Sequence, residues 1–383
     1  MKEKIMEIQR YLKEPIESRL NGDKNKIVIL YGARQTGKTT LATHILDASG
    51  KKVMAVNADQ QKYIDVLSSK DARKLKGLIG KNEILFIDEA QRIPDIGINL
   101  KIIHEELPEL RVFITGSSSI HIATQVAEAL TGRKFLFSLY PLSLKELNYH
   151  YSSFEIDDML EELLIYGSYP EVFTEQGYHE KKLILEELGN SYLYKDIFEL
   201  TGIRNKKKLS DLLRLLAFQI GSEVSIHELS QQLNLSRDAV NHYLYLLEQS
   251  FVIFRLSGFS RNLRKEISKM DKFYFYDNGI RNMIINNYNP KPYRNDLGEL
   301  WENFVLAERQ KYLSYLQIPV NNYFWRIYTG GEIDYIEEHS GNLWGYEIKL
   351  NKSKTKPPKT WTKSYPESSF EVISRENYQQ FLI

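Results

Sequence analysis

Cysteine is absent from the 383-residue chain, which excludes disulfides, thiolate zinc ligands and a cysteine nucleophile. No apolar run reaches the roughly 18 residues that a membrane span requires. The opening MKEKIMEIQRYLKEP holds no continuous apolar segment of the signal-peptide kind. A cytoplasmic protein with no membrane partner is therefore expected. An excess of one charge is lacking too: 51 Lys and Arg face 50 Asp and Glu, a net +1. Any affinity for nucleic acid must come from local patches. Tyrosine is frequent, with 25 in the chain, and ordinary packing accounts for it. A chain of this length exceeds one ordinary core, so two or three domains are expected.

The most informative stretch is Lys26 to Thr40, KIVILYGARQTGKTT. The apolar run Ile27–Leu30 reads as a strand, and Leu41, Ala42, Ile45 and Leu46 continue at helical spacing. Between them Gly32, Ala33, Arg34, Gln35, Thr36, Gly37, Lys38 and Thr39 fit G-x-x-x-x-G-K-[ST], followed by Thr40. In this setting the pattern predicts a loop whose inward N–H groups and helix start hold phosphates. Lys38 is expected on the β- and γ-phosphates of ATP, and the Thr39 hydroxyl on Mg²⁺.

Residues 1–25 read as one helix with Ile5, Ile8, Leu12, Ile16 and Leu20 on one side. Residues 61–80 read as helical. The strand Glu83–Ile87 closes on Asp88 and Glu89. Asp88 is expected to support Mg²⁺ and Glu89 to prepare the attacking water, with alternation along the strand sending them to opposite sides. A solvated acidic turn is the alternative. A third strand, Leu110–Thr115, runs into Gly116 and three serines, where Thr115 or Ser117 would reach the γ-phosphate or its water; helix capping is the other reading. A helix over 120–130 precedes Arg133, a candidate arginine finger in cis or from a neighbouring subunit, or a plain surface arginine.

GARQTGKTT, ILFIDEAQRIPD, FITGSSS, LTGRK and FSLYPLSLKEL together resemble an AAA+-type P-loop ATPase of bacteria and archaea, in the group related to archaeal ATPases. YGSYPEV (166–172), YLYKDI (192–197), FYFYDNGIRN (273–282), GELWENFV (298–305) and the GGEIDYI…YEIKL stretch (330–350) resemble the C-terminal domain of unknown function that such ATPases carry. The resemblance implies an α/β P-loop NTPase fold over 1–144, a parallel sheet with helices on both faces. It implies a helical lid over 145–208 that moves with nucleotide state, and a nuclease-like fold at the C-terminal end.

Over residues 209–269 a helix precedes Val224-Ser225-Ile226, and the helix, turn, helix, strand order that follows describes a winged helix-turn-helix. Arg237, Asn241 and His242 at the start of its second helix are candidate DNA contacts. Arg255, Arg261, Arg264, Lys265, Lys269 and Lys272 are candidate phosphate contacts. The same fold also packs against proteins, so DNA and a protein partner both stand. Over 270–383, Asp334 followed by Glu347-x-Lys349 has the spacing of a PD-(D/E)XK nuclease core. Glu347 and Lys349 share one face of a strand, and Glu302 would add a ligand from a helix. Such a set would take a second Mg²⁺ or Mn²⁺; an ordinary amphipathic strand is the alternative. The lysines over 349–363 would cover a nucleic-acid backbone or form a solvated loop.

The expected function is Mg²⁺-dependent hydrolysis of ATP to ADP and phosphate, coupled to a DNA-binding-like winged helix and a nuclease-like end. The alternative is an ATP-dependent switch that holds DNA or a protein and cuts nothing. A ring-forming motor, with Arg133 supplied across a subunit interface, is the third reading.

Overall fold

The computed structural model describes residues 8–22, 26–116, 130–189, 205–260, 270–327, 331–352 and 354–383. They fall into two compact units, Glu7–Pro141 with Gln249–Phe251, and Leu142–Glu248 with Val252–Ile383.

The first unit is built on β1 (Ile27–Tyr31), β2 (Val53–Asn57), β3 (Ile84–Asp88), β4 (Arg111–Gly116) and β5 (Lys134–Ser138). All pairings are parallel, in the order β2-β3-β4-β1-β5. Ile27 to Leu30 and Ile84 to Ile87 are buried throughout, as strands covered on both faces must be. Among the described residues its α-helices are α1 (Lys13–Asn21), α2 (Lys38–Ala48), α3 (Gln61–Leu67), α4 (Ala72–Ile79) and α5 (Ile96–Glu106). Two expectations change here. Among the described residues the first helix starts only at Lys13, because Pro15 has no N–H and its ring would clash with the carbonyl four residues back; it is tolerated in the first turn. The helix over 61–80 is two: Lys70 has positive φ, and the Asp71 side chain caps α4 by accepting from Arg73 N and Lys74 N. Most of the expected helix over 120–130 lies outside the described residues.

The second unit opens with α6 (Leu144–Leu147), α7 (Ser153–Tyr166), α8 (Pro170–Thr174) and α9 (Tyr178–Leu188). Ser143 with Glu146 and Ser152 with Glu155 form reciprocal capping boxes at α6 and α7. These helices, expected as a lid on the ATPase, pack within this unit. Residues 190–204 of the expected lid lie outside the described residues. Next come α10 (Lys206–Phe218), β6 (Glu223–Val224), α11 (Ile226–Leu233), α12 (Arg237–Gln249), β7 (Ile253–Gly258) and β8 (Asp271–Phe275). The chain ends with α13 (Asn278–Ile284), α14 (Leu297–Tyr315), β9 (Asn321–Arg326), β10 (Glu332–His339), β11 (Asn342–Ile348), α15 (Lys359–Ser364), β12 (Ser369–Ile373) and α16 (Tyr378–Leu382). Its strands form one sheet, β12-β11-β10-β9-β7-β8-β6. The join is parallel, Ser257 opposite Tyr323 and Gly258 opposite Phe324. The expected border near 269 therefore falls inside a continuous sheet.

Buried polar side chains tie this unit together. Asp277 caps α13 through Ile280 N (3.1 Å) and also accepts from Ser168 N (2.7 Å). Asn303 holds both backbone groups of Phe275, accepting from its N–H at 2.7 Å and donating to its carbonyl at 2.9 Å. Asn282 donates to the carbonyls of Leu164 and Ile165. Gly167 is required beside this network. Its φ is +74°, and an added Cβ would sit 2.1 Å from Asp277 Oδ1. Gly167→Ala is expected to destabilise the second unit by about 2–4 kcal/mol, through left-handed strain and a displaced cap. All four tryptophans belong to this unit, so urea unfolding followed by tryptophan fluorescence checks it.

Candidate functional site

Three chain segments converge at the carboxyl ends of the first unit's strands, where open α/β sheets bind ligands. The loop after β1 turns tightly. Gly32 has φ +155°, and a Cβ there would lie 2.0 Å from the Leu139 carbonyl oxygen, so only glycine fits. Gln35 (φ 55°) and Gly37 (φ 91°) carry the chain round to α2, which begins at Lys38. The Lys38 ammonium is buried and donates to the carbonyls of Gly32 (3.0 Å) and Ala33 (2.6 Å). The Thr36 hydroxyl also donates to Ala33 O (2.8 Å). Arg34 is half-buried, and Thr39 and Thr40 are exposed on the first turn of α2.

Asp88 ends β3 beside this loop. Its Oδ2 accepts from the Thr39 hydroxyl at 3.0 Å and its Oδ1 from the Thr115 hydroxyl. Because β4 lies between β1 and β3, Thr115 is set between the phosphate loop and the acidic strand end. The resulting all-oxygen group suits a hard cation such as Mg²⁺. Glu89 is directed differently from expectation. It adopts the left-handed conformation (φ 56°) at the start of a 3₁₀ turn, so strand alternation does not aim it, and Gln91 Nε2 donates to its carboxylate.

Arg133 is remote from this group. Lys134 pairs with Ile27, which puts Arg133 at the amino end of β1, opposite the loop and roughly 15 Å of strand away. It pairs with Glu105 at 3.1 Å. An arginine finger in cis is thereby corrected. Ser117 lies outside the described residues.

In the second unit, Glu302 (α14), Asp334 (β10), Glu347 (β11) and Lys349 come together, with partners the sequence reading missed. Lys349 Nζ bridges Glu347 Oε1 (2.7 Å) and Asp334 Oδ2 (3.3 Å), and Asp334 also accepts from Ile348 N at 2.8 Å. Lys272 is 3% exposed and pairs with Glu332 (2.8 Å) and, at 3.9 Å, with Glu302. The Tyr274 hydroxyl donates to Glu302 Oε1 at 2.6 Å. Burial, then the charge of Asp334, pushes the Glu302 carboxyl up to about 7 against the pull of Lys272. Burial and Asp334 likewise raise Glu347. Burial alone would lower the lysines, yet the surrounding carboxylates outweigh it and raise both. Nothing among the described residues supports the expected second Mg²⁺ or Mn²⁺: no three His, Asp or Glu side chains form a metal-holding group. Ammonium groups stand among the carboxylates instead.

Residues 24–148 match a family model described as an AAA domain. The match and the loop geometry support an ATP-binding P-loop domain of the AAA type over these residues. Residues 157–291 and 297–379 match two domains of unknown function, DUF8612 and DUF4143. An uncharacterised protein of Mycobacterium tuberculosis is 28% identical over 332 residues, 84% of this chain and 70% of that one. One from Methanocaldococcus jannaschii is 28% identical over 306 residues, covering 75% and 67%. Among solved structures, a Walker-type ATPase of Pyrococcus abyssi aligns with TM-score 0.48 at 15% identity, over 71% of this chain and 95% of that one.

Outside the AAA domain, Arg237, Asn241 and His242 are exposed on α12, with Asp238 on the same turn; Arg237 Nη2 lies 3.0 Å from His227 Nδ1. Two expected phosphate contacts are corrected. Arg255 is held by Glu248 (3.0 Å) and Asp271 (3.2 Å), and Lys272 is buried among carboxylates. Arg261, Arg264, Lys265 and Lys269 lie outside the described residues. Among the described residues no helix is long and apolar enough to cross a membrane.

The raised Glu302 fixes a pH dependence. Its folded value, about 7, exceeds its ordinary 4.5, so between those values the folded state binds more protons than the unfolded one. Stability from this group is full below about pH 4.5 and is lost as pH rises through about 7. Urea midpoints measured from pH 4.5 to 8 are expected to fall across that window, and Glu302→Gln to flatten the slope.

Proposed function

We propose that the protein is a Mg²⁺-dependent ATPase that hydrolyses ATP to ADP and phosphate and transmits nucleotide state to its C-terminal modules. The observation that carries this reading is the Asp88 carboxylate shared by Thr39 from the P-loop helix and Thr115 from β4. Thr39 and Asp88 would hold the metal, which supplies charge neutralisation on the β- and γ-oxygens. Gly32, Ala33, Arg34, Gln35, Thr36, Gly37 and Thr40 would line the phosphates, with Lys38 released from its loop carbonyls to counter phosphate charge. Glu89 accepts a proton from the attacking water as its oxygen bonds to the γ-phosphorus. The bond to the bridging oxygen breaks, and ADP leaves with that electron pair. Thr115 orients the water or a γ-oxygen, as would Ser117, and Arg133 would act only on a neighbouring subunit's nucleotide, in an oligomer. Lys38→Ala is expected to abolish binding of a fluorescent ATP analogue. Glu89→Gln is expected to keep binding and lose about 10²–10⁴ in turnover, read by phosphate release. Hydrolysis at the wild-type rate by Lys38→Ala would end the assignment.

The helix–strand–helix–helix–ribbon order of residues 206–275 suits a winged helix, with Arg237, Asn241 and His242 as its DNA contacts. A second reading is favoured by the lysines among the C-terminal acids. There the nuclease-like module recognises DNA or a protein partner without cutting it. Labelled single- and double-stranded DNA and RNA, incubated with Mg²⁺ or Mn²⁺ with and without ATP, are expected to stay intact. Cleavage that disappears in Glu347→Ala but persists in Arg237→Ala would instead establish a nuclease dependent on Glu302, Asp334, Glu347 and Lys349.

A further inference from the structure

The segment before α1 carries a residue that no motif singles out. The Arg10 side chain reaches 26 residues along the chain to the phosphate loop, where Nη1 donates to the Thr36 carbonyl. Nη2 donates at 2.7 Å to the carbonyl of Tyr140, just beyond β5. Arg10 is only 8% exposed, and a Cβ added at Gly37 would lie 3.5 Å from its Nη1. The backbone it grips on the far side is the one that forces glycine at position 32: Leu139 N donates to Tyr31 O at 2.8 Å, and the Leu139 carbonyl fills the space of a Gly32 side chain.

We infer that Arg10 is a positioning residue for nucleotide binding, acting by setting the orientation of the Thr36–Gly37 peptide. The inference rests on the ATPase reading above. A trans peptide is planar, and its carbonyl and N–H point in opposite directions; no peptide among the described residues is cis. Holding the Thr36 carbonyl against Arg10 therefore turns the Gly37 N–H away from Arg10. This amide stands immediately before the Lys38 helix start, and phosphate loops bind anions with such N–H groups. Gly37 has φ 91° and lacks a side chain to stiffen the turn. Without an outside grip, that peptide plane is free to flip and offer phosphate its carbonyl oxygen, which repels it. The Gly32 and Ala33 carbonyls already have Lys38 as partner, and Ala33 also has the Thr36 hydroxyl. Arg10 does the same for Thr36 from outside the loop. Spanning two carbonyls from two nitrogens needs the rigid guanidinium fork, which an ammonium cannot reproduce.

The test is titration of a fluorescent ADP analogue with Mg²⁺ into wild type, Arg10→Lys, Arg10→Gln and Lys38→Ala, with melting curves for each. Arg10→Lys and Arg10→Gln are expected to bind about 10- to 100-fold more weakly, the worth of a charged hydrogen bond to a buried carbonyl, while remaining folded at the titration temperature. Millimolar guanidinium is expected to restore part of the affinity of Arg10→Gln and none of that of Lys38→Ala, a rescue that a general loss of packing would not give. Binding by either Arg10 variant within twofold of wild type would overturn the inference. So would affinity that falls only in proportion to the unfolded fraction, or that guanidinium leaves unchanged. Wild type that fails to bind would instead overturn the ATPase reading.

Discussion

One carboxylate organises the nucleotide-binding end of the first unit. Asp88 is the last residue of a strand whose other four residues are buried, and its two oxygens take hydroxyls from different elements, Thr39 on α2 and Thr115 on β4. The parallel order makes this possible, since inserting β4 between β1 and β3 brings the ends of all three strands level. A shift of any strand by one residue would reverse its side chains and break the arrangement. The apolar strands thus act as a ruler, and their burial is what keeps three polar groups in mutual reach.

The second unit relies on buried polar contacts of another kind. Asp277, Asn282 and Asn303 cap, bridge and mimic backbone partners. Arg281 donates to the Ala217 carbonyl at 2.9 Å and pairs with Asp296, which also receives Arg294. Unsatisfied, any of these groups would cost about 1–3 kcal/mol. The stretches YGSYPEV, FYFYDNGIRN and GELWENFV supply much of this network, so those motifs specify how helices join the sheet.

The loop 32–39, the strand ending at Asp88 and the convergence of Asp334, Glu347 and Lys349 were legible in the sequence, because each depends on local spacing or on period-two alternation. What stayed hidden depends on distant pairing. Arg10 carries no local sign of its target 26 residues on. Lys272 looked like a surface cation on a ribbon, and only the pairing of β7 with β9 brings it to Glu332. Glu332 itself was within reach of reasoning, two residues before Asp334 and on the same face. Glu89 misled because a left-handed residue broke the alternation that was extended one position too far. The helix over 1–25 misled because periodicity outweighed Pro15.

The continuity of the seven-stranded sheet makes Lys272 a mechanical part as well as an electrical one. It rides on β8 of the ribbon, whereas its carboxylates ride on α14 and β10. Sliding β8 by a single residue would swing the ammonium to the opposite side of the sheet and strand Glu302 and Glu332 beside Asp334 with no cation from the ribbon. Strand register and the balance of charge among these acids are therefore set together by the pairing of the ribbon with the rest of the sheet.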